Sequence, residues 1–246
     1  MDKYDIAGWT EKSWNPSTGC TKISSGCLNC YAEKKAIEFQ NKPDPGKYIN
    51  GFDLTLHEDV LEKPYHWKTP KRVFVNSMSD LFHENMPVEF ILEVFKVMRD
   101  NPQHLYIVLT KRADVLERLS PQLPWHDRIW MGVTVEEAKY NWRIDCLRNT
   151  KARHKFISAE PLLGDLGDVN LSNIDWLFVG GESGPNCRPM EESWVINLKE
   201  QCDIQDTMFS FKQWGGVYRR KNGSVLQGKH HHSLPATNLN YELNFE

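Results

Sequence analysis

Hydrophobic positions along this chain fall into short, nearly continuous runs separated by amphipathic stretches. Runs at 73–76, 105–110, 129–134, 155–158, 176–180 and 208–212 predict strands, and weaker runs lie at 7–14 and 52–57. Apolar runs without alternation suit parallel strands buried on both faces. Between them, Val88, Ile91, Leu92, Phe95 and Met98 repeat at helical spacing and predict a helix over 88–98. A shorter helix is predicted over 112–119. Thr134 and Glu137 form a capping-box pattern, which predicts a helix running on to about Arg148. Trp194, Val195, Leu198 and Cys202 mark the inner face of the last long helix.

This alternation predicts an α/β chain folded as a (β/α) TIM-barrel-like domain, closed or partial, with six to eight parallel strands. There is no internal repeat or low-complexity linker. Residues 1–246 read as one domain, with 217–246 a peripheral C-terminal extension. In that architecture the active site lies at the C-terminal ends of the strands. Polar residues recur there: Ser77, Ser79 and Asp80, then Thr110, Lys111 and Arg112, then Thr134, Glu160, Glu182, Lys212 and Gln213.

The formal net charge of −3 excludes a global basic field. Local basic clusters occur at Lys111-Arg112, 148–155 and 219–221, and read first as solvated faces. The N-terminus carries no apolar run, and no stretch approaches the roughly 20 apolar residues of a membrane span. A cytoplasmic protein with no membrane partner is expected, in a compartment that keeps thiols reduced. Nine tryptophans suit an aromatic-lined barrel mouth, and His230, His231 and His232 are expected to be exposed.

Cys20, Cys27 and Cys30 form a C-x6-C-x2-C triplet that crosses from a Gly/Ser-rich loop into a predicted helix. Three thiolates from one loop make a site for a soft metal with one open position. Three readings stay open: an iron–sulfur cluster, a structural zinc completed by His57, His83 or Cys187, and free thiols. Cys146 and Cys202 read as small buried hydrophobes. Cys187 lies in a loop at the same rim, as a fourth ligand, a hydrogen-atom donor or an incidental residue.

The segments WNPSTGCTKISSGCLNCYAEK, FVNSMSDLFHENMP, IVLTKR, WMGVTVE, FISAEPLLG, WLFVGGESGPNCRPM and FKQWGG occur in that order. Together they resemble a phage- and prophage-associated three-cysteine-motif family described as radical-SAM-like. The resemblance implies a 4Fe–4S cluster on Cys20, Cys27 and Cys30 that chelates and reductively cleaves S-adenosylmethionine. The first gap is six residues where the usual radical SAM motif has three, and Tyr31 follows the last cysteine instead of preceding it. Ser77, Ser79, Asp80, Thr110, Lys111 and Arg112 are the implied cofactor-binding residues. Glu160, Glu182 and Lys212 are the implied catalytic residues, with Gln213 and Trp214 beside them. The implied partners are a reductant protein and a nucleotide or nucleic acid substrate, with residues 148–155 and 219–221 tracking phosphates. Two other classes remain: a zinc-binding, non-catalytic phage accessory or interaction module, and a metal-independent hydrolase using Asp80, His83 and Glu160.

Overall fold

The apolar runs become one sheet. The computed structural model describes residues 10–233. Its strands are β1 (Lys12–Trp14), β2 (Arg72–Val75), β3 (Leu105–Thr110), β4 (Ile129–Thr134), β5 (His154–Ala159), β6 (Trp176–Gly180) and β7 (Met208–Gln213). They pair in chain order, and every pair is parallel. The register sets Val75 opposite Val108, Gly132 opposite Phe156, and Phe156 opposite Trp176. Among the described residues β1 and β7 do not pair, so the sheet is an open half-barrel, not a closed one. Parallel pairing also puts the C-terminal ends of all seven strands on one rim.

The connections carry α1 (Tyr31–Gln40), α2 (Val88–Asp100), α3 (Ala113–Leu119), α4 (Trp142–Arg148) and α5 (Glu192–Ile204). The α2 face in the core is Phe90, Ile91, Val94, Phe95, Val97 and Met98, whereas Val88 is exposed and Leu92 only half-buried. The buried stripe is thus rotated from the predicted one. The predicted capping box does not form. Thr134 ends β4, Glu137 accepts a hydrogen bond from the Ser25 hydroxyl, and α4 begins only at Trp142 after a 3-10 turn. A distant partner has captured the side chain that a local cap would use.

The weak run at 52–57 pairs outside the main sheet, where Thr55–Leu56 lies antiparallel to Ser17–Thr18. The run at 7–14 contributes β1, and its first three residues lie outside the described chain.

The outer face of the sheet, with Val73, Val108, Met131, Ile157 and Val179, packs under the helices as the main core. The inner face carries a second apolar cluster of Leu105, Ile107, Trp130, Phe156, Trp176 and Phe178. Each such side chain contributes about 1.5–3 kcal/mol on full burial. Gly132 is required within it, because a Cβ there would meet the Phe156 ring at 2.3 Å.

Residues 217–233 are less peripheral than expected. Leu226 is fully buried, the Phe211 N–H donates to the His231 carbonyl at 2.7 Å, and Ser210 bridges to His232. This segment covers the free edge of β7, the exposure that native sheets avoid. His230 is exposed, while His231 and His232 are half-buried against that edge. Among the described residues no helix is long and apolar enough to cross a membrane.

Candidate functional site

The cysteine loop leaves β1 through the Ser17–Thr18 pairing and lies on the C-terminal rim. Gly19 has φ +87°, and a Cβ there would lie 2.1 Å from the Asp53 carbonyl oxygen, so only glycine fits. The Cys20 N–H donates to the Phe52 carbonyl, and the Cys30 N–H to the Cys27 carbonyl, before Cys30 opens α1. All three thiols are free and half-buried. The charge of Cys27 acts on Cys20, and Lys22 feels both Cys27 and Cys30. Among the described residues no three His, Cys, Asp or Glu side chains stand together as a group ready to hold a metal.

Arg112 organises the Cys20 end. Its Nε donates to Glu84 at 2.6 Å, one Nη1 hydrogen to Asp80 at 3.1 Å and the other to the Cys20 sulfur at 3.4 Å. Its Nη2 donates to the carbonyl and the hydroxyl of Thr21. A guanidinium has five N–H donors, and all five are engaged. Asp80 is equally occupied: it accepts from the Thr110 hydroxyl at 2.6 Å and from the backbone N–H groups of Phe82 and Lys111, as well as from Arg112. Ser79 donates to the Gly19 carbonyl, Ser77 donates to Asn15, and the Ser77 carbonyl accepts from the Tyr31 hydroxyl. Five of the six residues expected to bind a cofactor therefore hold one another and the cysteine loop.

Lys111 differs. Its Nζ stands 3.9 Å from Glu136, and its charge acts on Cys27. Glu136 is fully buried and was not singled out in the sequence. It accepts from the Ser24 hydroxyl at 2.5 Å and from Arg143 at 2.8 Å. A Cβ on Gly26 would lie 2.4 Å from its Oε1, so the loop rests directly on this carboxylate. The signal for it was present as the Glu136-Glu137 pair just beyond an apolar run. At the other end of the loop, Glu182 accepts from Asn29 at 3.1 Å and pairs with Arg188, which also donates to the Ser25 carbonyl. Glu160 pairs with Lys212 at 2.6 Å and lies 3.3 Å from the Gln213 amide. Asp80, Lys111, Glu160, Glu182 and Lys212 thus all lie on the C-terminal rim.

Burial pushes the Cys20 thiol up, Asp80 pushes it further, and Arg112 opposes them; the result is about 11. Burial also acts to raise Cys27, but Lys111, the Ser24 hydroxyl and nearby backbone N–H groups outweigh it and lower that thiol. Glu84 is held down to about 2, because hydrogen bonds from Thr21 and Arg112 outweigh its desolvation.

The zinc-ligand candidates have other partners. His57 Nε2 is 2.8 Å from the Thr18 hydroxyl. His83 Nδ1 accepts from the Asn85 N–H, and its Nε2 meets the Thr21 hydroxyl at 3.1 Å. Cys187 lines a separate cavity of 670 Å³ with Arg188, Met190 and Trp214. Cys202 is fully buried, as expected, whereas Cys146 is only half-buried at the margin of the main core.

The basic run at 148–155 is at the wrong end for the site, because it precedes β5 and so lies on the N-terminal rim. Its cations also have local partners: Arg148 pairs with Asp145, Arg153 pairs with Asp127, and Lys155 donates to the Ala152 carbonyl. In the second run Lys221 stands over Tyr218, and the side chains of Arg219 and Arg220 lie outside the described residues.

The model of a family described as a protein of unknown function, DUF5131, matches residues 5–235, nearly the whole chain, and the chain belongs to that family. No curated protein and no solved structure matches it.

Proposed function

For this DUF5131 protein, we propose a radical-SAM-like iron–sulfur enzyme whose cluster is held by Cys20, Cys27 and Cys30. The observation that carries the reading is a loop of three free, half-buried thiols over the C-terminal rim of an open parallel half-barrel. The donor set suits the group: three soft ligands leave a fourth position open, and Lys111 and Arg112 bring positive charge to Cys27 and Cys20. Such a cluster, when bound, would supply the electron that splits the sulfonium C–S bond of S-adenosylmethionine into methionine and a 5′-deoxyadenosyl radical.

The chain's own groups prepare that event. Arg112, fixed by Asp80 and Glu84, orients Cys20 through an N–H···S bond. Lys111 favours the thiolate of Cys27. Glu136 through Ser24, and Glu182 through Asn29, anchor the rest of the loop. With Asp80 and Arg112 saturated, Lys111 is the rim cation we assign to the carboxylate of S-adenosylmethionine. Lys212, Glu160, Gln213 and Glu182 face the substrate side, and the inner aromatic cluster keeps water from below. The enzyme would act in the cytoplasm with a reductant protein. A nucleotide or nucleic acid remains the proposed substrate class on the sequence resemblance alone, since the run at 148–155 lends it no support.

A zinc-held interaction module has less behind it, because His57 and His83 are engaged by hydroxyl groups and Cys187 lines a different cavity. The test is anaerobic reconstitution with iron and sulfide, read by electron paramagnetic resonance and by 5′-deoxyadenosine release under a strong reductant. A colourless protein that takes up one zinc and leaves S-adenosylmethionine intact would sink the assignment.

A further inference from the structure

A cavity of 420 Å³ opens beside Cys20, between the cysteine loop, the strap at 52–56 and the loop after β2, and no role above uses it. Its apolar walls are Phe52, Leu54, Leu56 and Pro87. The residues lining it include no lysine or arginine, so a phosphate would find no counter-charge there. An acidic residue, the exposed Asp53, is among those lining it. Apolar walls suit a flat heterocycle, and a carboxylate at the mouth suits a ribose diol, as in other nucleoside sites. The wall is also tied to the cysteine loop. The Phe52 carbonyl accepts the Cys20 N–H at 3.0 Å, and Gly19 packs against the Asp53 carbonyl. The pairing of Thr55–Leu56 with Ser17–Thr18 fixes the same strap from behind.

We infer that this cavity is a nucleoside subsite: it takes an adenine ring between Phe52, Leu54 and Pro87 and its ribose against Asp53. The inference rests on the proposed cluster at Cys20, since a nucleoside seated here is the one covalently joined to the group that the cluster would chelate. It assigns the recognition of adenine to the strap at 52–56, and not to the residues around the last cysteine.

The test uses 5′-deoxyadenosine, which carries no amino acid and so can bind without a cluster. Calorimetry on the full chain, before and after reconstitution, should detect its binding. Phe52→Ala, which removes the stacking wall, and Asn85→Trp, which fills the mouth from an exposed position, should each weaken it about tenfold or more. Both variants should keep the wild-type iron content, and Asn85→Trp the wild-type melting temperature. Asp53→Asn should weaken the ribonucleoside more than its 2′,3′-dideoxy analogue. Wild-type affinity in both cavity variants overturns the subsite. So does unchanged KM for S-adenosylmethionine in both, with cluster and cleavage intact. Cavity-dependent nucleoside binding in a protein that never assembles a cluster would instead support the subsite and remove the iron–sulfur reading.

Discussion

Arg112 donates to the sulfur of Cys20 at 3.4 Å, while the same Nη1 donates to Asp80 at 3.1 Å. One guanidinium thus joins the cysteine loop to the loop after β2. Both residues of the ion pair are buried, and neither has a spare hydrogen-bonding position to offer a ligand. Their work is to hold the rim in register.

Removing Arg112 should therefore be felt in stability before it is felt in chemistry. Arg112→Met leaves the Asp80 carboxylate buried without its ionic partner, and breaking such a pair costs about 3 kcal/mol or more. Urea denaturation should show this loss. Hydrogen exchange should show the loop at 20–30 opening in the variant, and a loop as protected as in wild type would contradict the role given to Arg112.

The first two thiols of the triplet should differ in reactivity without metal. Cys20 is pushed up to about 11, whereas Cys27 is lowered, with Lys111 the strongest of the influences lowering it. Near neutral pH, iodoacetamide should label Cys27 well before Cys20, because the thiolate is the nucleophile. Mass spectrometry of tryptic peptides reads the order. Lys111→Ala should slow labelling at Cys27 and leave Cys20 little changed.

Glu84 should leave a mark on acid stability. Its carboxyl moves from about 4.5 down to about 2 on folding, because hydrogen bonds from Thr21 and Arg112 outweigh desolvation. A depressed folded value means the contribution is present above the unfolded value and is lost as pH falls through the folded one. Stability should thus fall between about pH 4.5 and pH 2, and Glu84→Gln should flatten that part of the curve. The group is half exposed, so salt should reduce the effect. Equal slopes in both proteins would count against the pairing.

Gly26→Ala sets a Cβ 2.4 Å from Glu136 Oε1, and this carboxylate cannot retreat while Arg143 holds its other oxygen. The variant should fold, because the sheet does not depend on this contact, but should bind iron poorly on reconstitution. Full iron uptake would show that the loop need not rest on Glu136.

Cysteine variants should divide by place. Cys27→Ala should abolish iron binding and any S-adenosylmethionine cleavage together. Cys202→Ala should cost about 1 kcal/mol, since it removes one small side chain from a fully buried helix face, and leave metal content intact. Iron loss in Cys202→Ala would argue for a wider metal site than the triplet.

Much of the sheet was legible in the chain itself. The apolar runs at 105–110, 129–134 and 176–180 match their strands residue for residue, because a strand covered on both faces needs apolar side chains at every position. The C-terminal rim was legible for the same reason: where an apolar run stops, the chain leaves the core, and Asp80, Lys111, Glu160, Glu182 and Lys212 stand at or near those stops. The cysteine triplet declared itself through spacing alone.

What the tertiary structure decided is which of those groups have partners. Asp80 and Arg112 are 32 residues apart and became one ion pair only when β2 and β3 lay side by side. Glu136 reached Ser24 across 112 residues, and Glu137 left its local cap for Ser25 in the same way. The cavity beside Cys20 likewise needs three segments brought together by the fold. A sequence records the chemistry of each side chain and the periodicity of its neighbours. Whether a carboxylate is open to a ligand or saturated by the fold depends on contacts between segments distant in the chain, and folding alone sets those distances.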